Sequence, residues 1–299
     1  MIGTVNREKG LAALKDRISG LLVESGRVET AVPGLALSRF NGDVAGEKCF
    51  YSPMAALVVQ GVKRSMVGSR EVRYGEGQCM ALGVDMPGVY QIAQTSKAAP
   101  FLSLSVKLER RIVSELVAEM PSLAASPAGG TPPVAVAKAD GELLEAFVRL
   151  VDLLKTPSRI PVFAPMILRE IHFHLLAGAF GSCLRLFGSG STQAGRIALA
   201  ISWLRENYAA PLDVAELAGR VNMAPSTFNR HFRQVTGLSP LQFRTQLRLY
   251  EAERLMLVEG MYAAQAALKV GYESGSQFSR EYRRHFGAPP RRDVAGKRA

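Results

Sequence analysis

Histidine is the scarcest of the chemically versatile residues in this 299-residue chain: there are 4, and none lies between Met1 and Glu170. A metal-dependent barrel enzyme needs clustered imidazoles, so the first half lacks the commonest ligand set. His172 and His174 sit two apart on a helical stretch, where side chains diverge, and read better as packing or interface residues than as a metal pair. Cysteine is nearly as rare. Cys49, Cys79 and Cys183 are too widely spaced for a zinc motif or a disulfide framework. They read as buried apolar thiols, with Cys49 and Cys79 the alternative candidates for sensing oxidants or electrophiles. A nucleophile elbow, a phosphate loop and a catalytic carboxylate pair are all missing, so no enzyme chemistry, metal or cofactor is assigned.

Long apolar runs are lacking too. The most apolar long segment, Pro161 to Phe187, is broken by Arg169, Glu170, His172, His174 and Arg185, which excludes a membrane span. Met1 to Gly10 is polar, without the apolar core of a signal peptide. Together with the cysteine usage this places the protein in the cytoplasm. Acidic residues are outnumbered, 26 against 37 Lys and Arg, for a formal charge of +11. Ser191 to Ala299 alone holds 16 basic and 9 acidic residues. A basic excess concentrated in the last third points to a polyanionic partner.

What is present is a helical pattern written twice. The first copy reads Val214-Ala215-Glu216-Leu217-Ala218, then Val221-Asn222-Met223, then Phe228, Arg230 and Phe232. The second reads Ala263-Ala264-Gln265-Ala266-Ala267, then Val270-Gly271-Tyr272, then Phe278, Arg280 and Tyr282. Asp213 with Glu216 three residues on resembles a capping box. Each turn needs a residue tolerant of positive φ, and the copies supply Asn222 and Gly271. Pro225 suits the first turn of the following helix. Phe228, Phe232 and Val235 face inward in one copy, and Phe278, Tyr282 and Phe286 in the other. That leaves Ser226, Thr227, Asn229, Arg230 and Arg233 outward in the first, and Ser276, Gln277, Ser279, Arg280, Arg283 and Arg284 in the second. These are two helix-turn-helix units. Between them Ser239-Pro240 starts a helix to about Glu259. Roughly 20 residues span about 30 Å, close to one duplex turn of about 34 Å, so both recognition helices are expected in successive major grooves.

The run Leu212 to Pro290 resembles the DNA-binding domain of the AraC/XylS family of transcription regulators. The resemblance rests on Ala218, Phe228, Phe232, Thr236-Gly237, Ser239-Pro240, Arg248-Leu249, Ala252, Leu255, Val270-Gly271-Tyr272, Gln277-Phe278-Ser279-Arg280 and Phe286-Gly287-Ala288-Pro289. Ala224 departs from it, standing where the family often has a capping Ser. The front half is similar to the cupin-like sensor region of one subgroup of that family. It shares Val32-Pro33-Gly34-Leu35, Val59-Gln60-Gly61, Lys63, Gly68, Tyr74, Val84-Asp85-Met86-Pro87 and Leu168-Arg169-Glu170-Ile171.

The expected fold is α+β: a cupin-like β-barrel with flanking helices over residues 1–188, then an all-α domain of two helix-turn-helix units over 191–299. Short apolar runs punctuated by Gly61, Gly68, Gly75, Gly77 and Gly83 give the barrel. Leu alternating with Ser from Phe101 to Val106 reads as a half-buried strand. Helices are expected near Glu8–Glu24, Leu108–Met120, Ala139–Leu154 and Phe163–Phe187, with Ser122 to Pro133 as a flexible loop. Gly188-Ser189-Gly190-Ser191 is the domain boundary.

Ser226, Asn229, Arg230, Ser276, Gln277 and Arg280 are the candidates for base edges, since Asn, Gln and Arg pair bidentately with adenine and guanine. Thr227, Arg233, Arg283 and Arg284 are assigned to phosphate. His231 and His285 also lie on the recognition helices. The expected partners are double-stranded DNA, a small-molecule effector in the barrel whose identity the residues do not spell, and a second copy through 161–187. Two alternatives stand beside this: a cupin-type enzyme fused to a DNA-binding module, and a second unit that docks RNA polymerase.

Overall fold

A computed structural model of the chain describes residues 2–124, 133–185 and 193–298. Helix α1 (Ile2–Leu21) leads into strands β1 (Gly26–Glu29), β2 (Leu35–Phe40), β3 (Val44–Tyr51), β4 (Met54–Gln60), β5 (Val62–Val67), β6 (Arg70–Gly75), β7 (Gln78–Leu82), β8 (Met86–Ile92) and β9 (Phe101–Lys107). Then come α2 (Arg110–Glu119), β10 (Val134–Lys138), α3 (Gly141–Asp152), α4 (Ile160–Ala177) and α5 (Gly181–Leu184). The strands pair antiparallel in two sheets, β1-β2-β9-β4-β7-β10 and β3-β8-β5-β6. The α+β class holds, but the barrel takes the form of two open sheets face to face. Strand β10, which closes the edge beside β7, falls just after a stretch read as loop.

One face of the larger sheet lies under the helices. Leu35, Leu37, Leu57, Leu102, Leu104 and Val106 pack there against Leu14, Ile18, Phe147, Ile171 and Leu175. The opposite face turns toward the smaller sheet and is partly polar: Ser38, Ser103 and Ser105 line a cavity of about 490 Å³ between the sheets. The Leu/Ser alternation of β9 is therefore not a solvated strand. Its Leu side is covered by helices and its Ser side faces an interior cavity, with Ser105 only 9% exposed.

His172 is fully buried on α4. Its Nδ1 lies 2.7 Å from the Leu168 carbonyl, and its Nε2 accepts the Glu109 backbone N–H at 2.8 Å. An imidazole that donates at one nitrogen and accepts at the other is neutral, and here it satisfies one of the free amides at the start of α2. Burial lowers its pKa below the ordinary histidine value. His174 instead faces Glu142 and Glu170 at 3.5 and 3.7 Å.

The rest of the chain is helical: α6 (Gln193–Glu206), α7 (Val214–Arg220), α8 (Pro225–Thr236), α9 (Pro240–Val258), α10 (Ala263–Lys269), α11 (Gly275–Phe286) and α12 (Pro290–Arg298). The glycine-serine boundary at 188–191 lies outside the described residues. Apolar packing divides elsewhere. One cluster runs from Tyr51 and Met86 of the smaller sheet and Phe101 of the larger through Ile201 and Leu204 to Phe228, Phe232, Phe243 and Leu247, joining both sheets to the first helical unit. A separate cluster begins at Leu249 and holds Ala266, Val270, Phe278 and Tyr282. The two meet within α9.

Because folded His172 binds fewer protons than an unfolded histidine, its contribution is fully present above about pH 6.5, the unfolded value. It is lost as pH falls through that value toward the lowered folded pKa. Urea unfolding should therefore show the midpoint dropping between pH 7.5 and 5.5. His172→Gln, which does not titrate, should lose part of that dependence.

Candidate nucleic-acid interface

Each helix-turn-helix unit is built by local chemistry that the sequence states plainly. Asp213 caps α7, accepting from the Ala215 and Glu216 amides at 2.7 and 3.2 Å. Glu216 does not complete the box; it pairs with Arg220 at 2.7 Å. The α9 start does complete one, with Ser239 and Gln242 bonded reciprocally at 3.3 and 2.9 Å. Ala224 offers no side-chain cap to α8, whereas Ser274 caps α11 through the Gln277 amide at 3.3 Å. Asn222 and Gly271 both have positive φ, 53° and 90°. Gly271 is doubly constrained, since a Cβ there would lie 2.2 Å from the Ala209 carbonyl oxygen. That carbonyl belongs to a loop held by Arg248, whose guanidinium donates to Tyr208 and Ala209 at 2.7 and 3.0 Å.

Phe228 and Phe232 on α8, and Phe278 and Tyr282 on α11, are buried as expected. Ser226, Arg230 and Arg233, and Ser276, Gln277, Arg280, Arg283 and Arg284, are exposed, while Thr227 and Asn229 are half-buried. The candidates differ in how committed their polar atoms already are. Asn229 Nδ2 donates to the Pro225 carbonyl at 3.0 Å, and Gln277 Nε2 to Glu281 at 3.1 Å. The Ser276 hydroxyl is 2.8 Å from that of Ser274. The side chains of Arg230, Arg233, Arg280, Arg283 and Arg284 make no hydrogen bond or ion pair among the described residues. By contrast, Arg169 pairs with Glu115 and Glu119, and Arg17 with Asp152.

On α11 the pattern does not single out Glu281, and it places His285 only as a recognition-helix histidine. Glu281 accepts from both Gln277 and, at 2.7 Å, the Tyr272 hydroxyl, so it orients the one amide among the second unit's candidates. His285 turns away from the outward face. Its ring packs on Tyr250 and Phe286 with centroids 5.1 and 4.7 Å apart, and burial with nearby Lys48 pushes its pKa down to about 4. A neutral, stacked imidazole is a packing group.

The far ends of both recognition helices abut the β-rich half. Thr236 and Gly237 at the end of α8 approach Gly68 so closely that a Cβ there would sit 2.8 Å from the Thr236 carbonyl. At the end of α11 the His285 carbonyl accepts from Lys48 of β3. Both ends, with Tyr250 of α9, line one cleft of about 310 Å³. Phe50 of β3 stacks on Phe243 and Tyr250, each at 5.6 Å, and Arg205 of α6 pairs with buried Asp85.

Residues 31–183, half of the sequence, match the AraC-type transcriptional regulator N-terminus, and residues 217–294 match a helix-turn-helix domain. The chain belongs to the AraC-type transcriptional regulators. This AraC-type regulator is 29% identical over 122 residues to the HTH-type transcriptional activator RhaS of Pectobacterium carotovorum, covering 41% of the chain and 43% of the relative. It is likewise 29% identical over 160 residues to RhaS of Escherichia fergusonii, covering 54% and 57%. The chain thus spans about half the length of the curated relatives it matches. Among solved structures, unsaturated fatty acid bound ToxT of Vibrio cholerae shares the fold with a TM-score of 0.58 at 10% identity, over 91% of this chain and 96% of that one.

The two turns of this regulator make opposite demands. Gly271→Ala should destabilise the second unit by more than 2 kcal/mol, roughly, by strain and overlap together. Asn222→Gly should change stability by only about a few tenths. Thermal melts followed by circular dichroism separate the two.

Proposed function

We propose that this AraC-type regulator is a cytoplasmic, sequence-specific DNA-binding protein whose two recognition helices read one operator. The observation that carries this is the pair of exposed, unpartnered arginines at matching positions, Arg230 and Arg280. Both stand on the N-terminal halves of their helices, the part that reaches base edges in helix-turn-helix complexes. Ser226, Asn229, Ser276 and Gln277 flank them, and Gln277 must leave Glu281 to pair with a base. Thr227, Arg233, Arg283 and Arg284 neutralise phosphate. In this reading residues 1–188 sense and dimerise, 191–299 bind DNA, and a small-molecule effector occupies the cavity between the sheets. That ToxT, with the same fold, holds a fatty acid supports a ligand-responsive β-rich half. The relatives are transcription regulators, which favours this over a fused enzyme. Burial pushes the Cys49 and Cys79 thiols up to about 11 and about 12, which favours the apolar-thiol reading over a sensing one.

On an operator selected from random duplexes, Arg230→Ala and Arg280→Ala should each weaken binding by about 1–3 kcal/mol and relax base preference. Arg233→Ala should weaken binding to all sequences alike and reduce the salt slope by about 1. If Arg280→Ala binds normally yet fails to activate transcription, the second unit serves RNA polymerase instead. Tyr262 and Leu268, 79% and 69% exposed on that unit, favour this second reading.

The dimer surface proposed within 161–187 narrows to the start of α4. Ile167, Ile171, Leu175, Phe180 and Leu184 are buried in the chain's own core, and Phe187 lies outside the described residues. Val162, Phe163 and Met166 remain 63%, 45% and 62% exposed. Sedimentation at micromolar concentration should give a dimer for the native chain and a monomer for Phe163→Glu.

A further inference from the structure

Resting on the reading of the inter-sheet cavity as the effector site, we propose that its ligand is an organic monocarboxylate held by Lys63, and that strand β3 passes its presence to the DNA-binding half. Lys63 belongs to the inward face of β5, whose next inward residues, Ser65 and Val67, are 0% and 1% exposed. Its ammonium lies 4.1 Å from the centre of the Tyr90 ring and 5.8 Å from that of Tyr51. No carboxylate is within ion-pair distance of it among the described residues. Arg27, on the same cavity wall, is already neutralised by Glu29 at 2.9 Å. Glu47 is exposed at the lining's edge.

Burial without a counter-charge pushes the Lys63 ammonium down to about 8. A half-buried cation on a cavity wall with no counter-charge is a costly arrangement that an arriving anion relieves. Lys48 and Lys107 also reach the lining but are exposed, and Lys48 donates to the His285 carbonyl, so Lys63 with the Ser103 and Ser105 hydroxyls is the inward cationic group and balances a single negative charge. A phosphate dianion would keep a surplus charge in the same enclosure. Tyr90, Phe40 and Phe101 line it with aromatic surface, so the ligand's remainder is apolar. A volume near 490 Å³ is within the range of small-molecule sites, about 300–1,000 Å³.

Strand β3 separates this cavity from the helical half. Its odd residues turn inward: Tyr51 bonds the Ser65 hydroxyl at 3.1 Å, and the Cys49 thiol sits within electrostatic reach of Lys63. Its even residues turn the other way. Phe50 stacks on Phe243 and Tyr250 of α9, and Lys48 holds the end of α11. A ligand drawn to Lys63 presses on one side of a strand whose other side packs on α9, the helix between the two recognition helices, and holds the end of α11.

Phenylacetate and octanoate, paired with uncharged 2-phenylethanol and 1-octanol, test the site on the full chain. Both acids should raise the melting temperature by several degrees and the alcohols should not. Lys63→Met and Lys63→Gln, each first shown to melt cooperatively, should bind the acids at least tenfold more weakly by calorimetry, and Lys63→Arg should recover part of the loss. In the native chain a saturating acid should change operator affinity at least threefold; Tyr250→Leu should keep acid binding and lose that change. Equal shifts from acids and alcohols, no shift from either, or undiminished binding by both neutral variants overturns the carboxylate site. Acid binding with no change in operator affinity overturns the role of β3. Operator binding by the unliganded protein, and its loss in Arg230→Ala, is measured on the same samples, so the DNA-reading assignment stands or falls separately.

Discussion

The continuous apolar contact between the smaller sheet and the first helix-turn-helix unit constrains everything else in this protein. Tyr51 and Met86 on one side and Ile201, Leu204 and Phe243 on the other belong to one buried cluster, which also takes in Phe101 of the larger sheet. Apolar surface of this kind stabilises by roughly 25 cal/mol per Å² removed from water, so the first unit is not a free module on a tether. The second unit closes around its own core, from Leu249 to Tyr282. The division falls between Leu247 and Leu249, two residues apart on α9. A rigid helix thereby carries one unit welded to the β-rich half and another attached mainly through the helix itself.

That arrangement gives the two recognition helices unequal freedom at one end and equal freedom at the other. Gly68 and Ser69 hold the C-terminal end of α8 by backbone approach, a contact that tolerates little change. Lys48 holds the end of α11 through a single flexible side chain. In the N-terminal halves Arg230 and Arg280 are both exposed to solvent. The end of α11 is thus held from β3, and the end of α8 from the turn between β5 and β6. At about 1.5 Å per residue, the 19 residues of α9 set the lever at about 28 Å.

The helical half was legible because its signals are local. Asp213 and Ser239 announce helix starts, Asn222 and Gly271 the turns, and the phenylalanines the buried faces; each depends on residues within one or two turns. The β-rich half was less so, since strand pairing is set by residues far apart in sequence. Ser103 and Ser105 alternate with leucine as a solvated strand would, and nothing local distinguishes water outside from a cavity within. His172 was recognised as a packing residue, but its role at the start of α2 depends on Glu109, sixty-three residues away. Lys63 appeared only as one position of a motif; that no carboxylate meets it emerges once β3, β5 and β8 are brought together. Among the base-edge candidates the sequence placed every exposed residue outward, yet could not show that Gln277 is already engaged by Glu281.

Charge illustrates the same difference between counting and placing. A surplus of arginine is weak evidence for DNA binding, because most exposed arginines answer a neighbouring acid and contribute about 0–1 kcal/mol each. In α2, α3 and α4 that is what happens: Arg111, Arg149 and Arg169 all meet glutamates. Lack of a partner is not decisive either, for Arg70 and Arg73 on β6 also make no ion pair among the described residues. What distinguishes the recognition helices is density on one kind of surface. Five unpartnered guanidiniums stand on two helices related by an internal repeat, while Glu281, the acid within α11, is occupied by Gln277 and Tyr272. With its one carboxylate engaged sideways, that helix keeps its positive field uncancelled, and a helix in that condition is matched by a polyanion approaching from solvent.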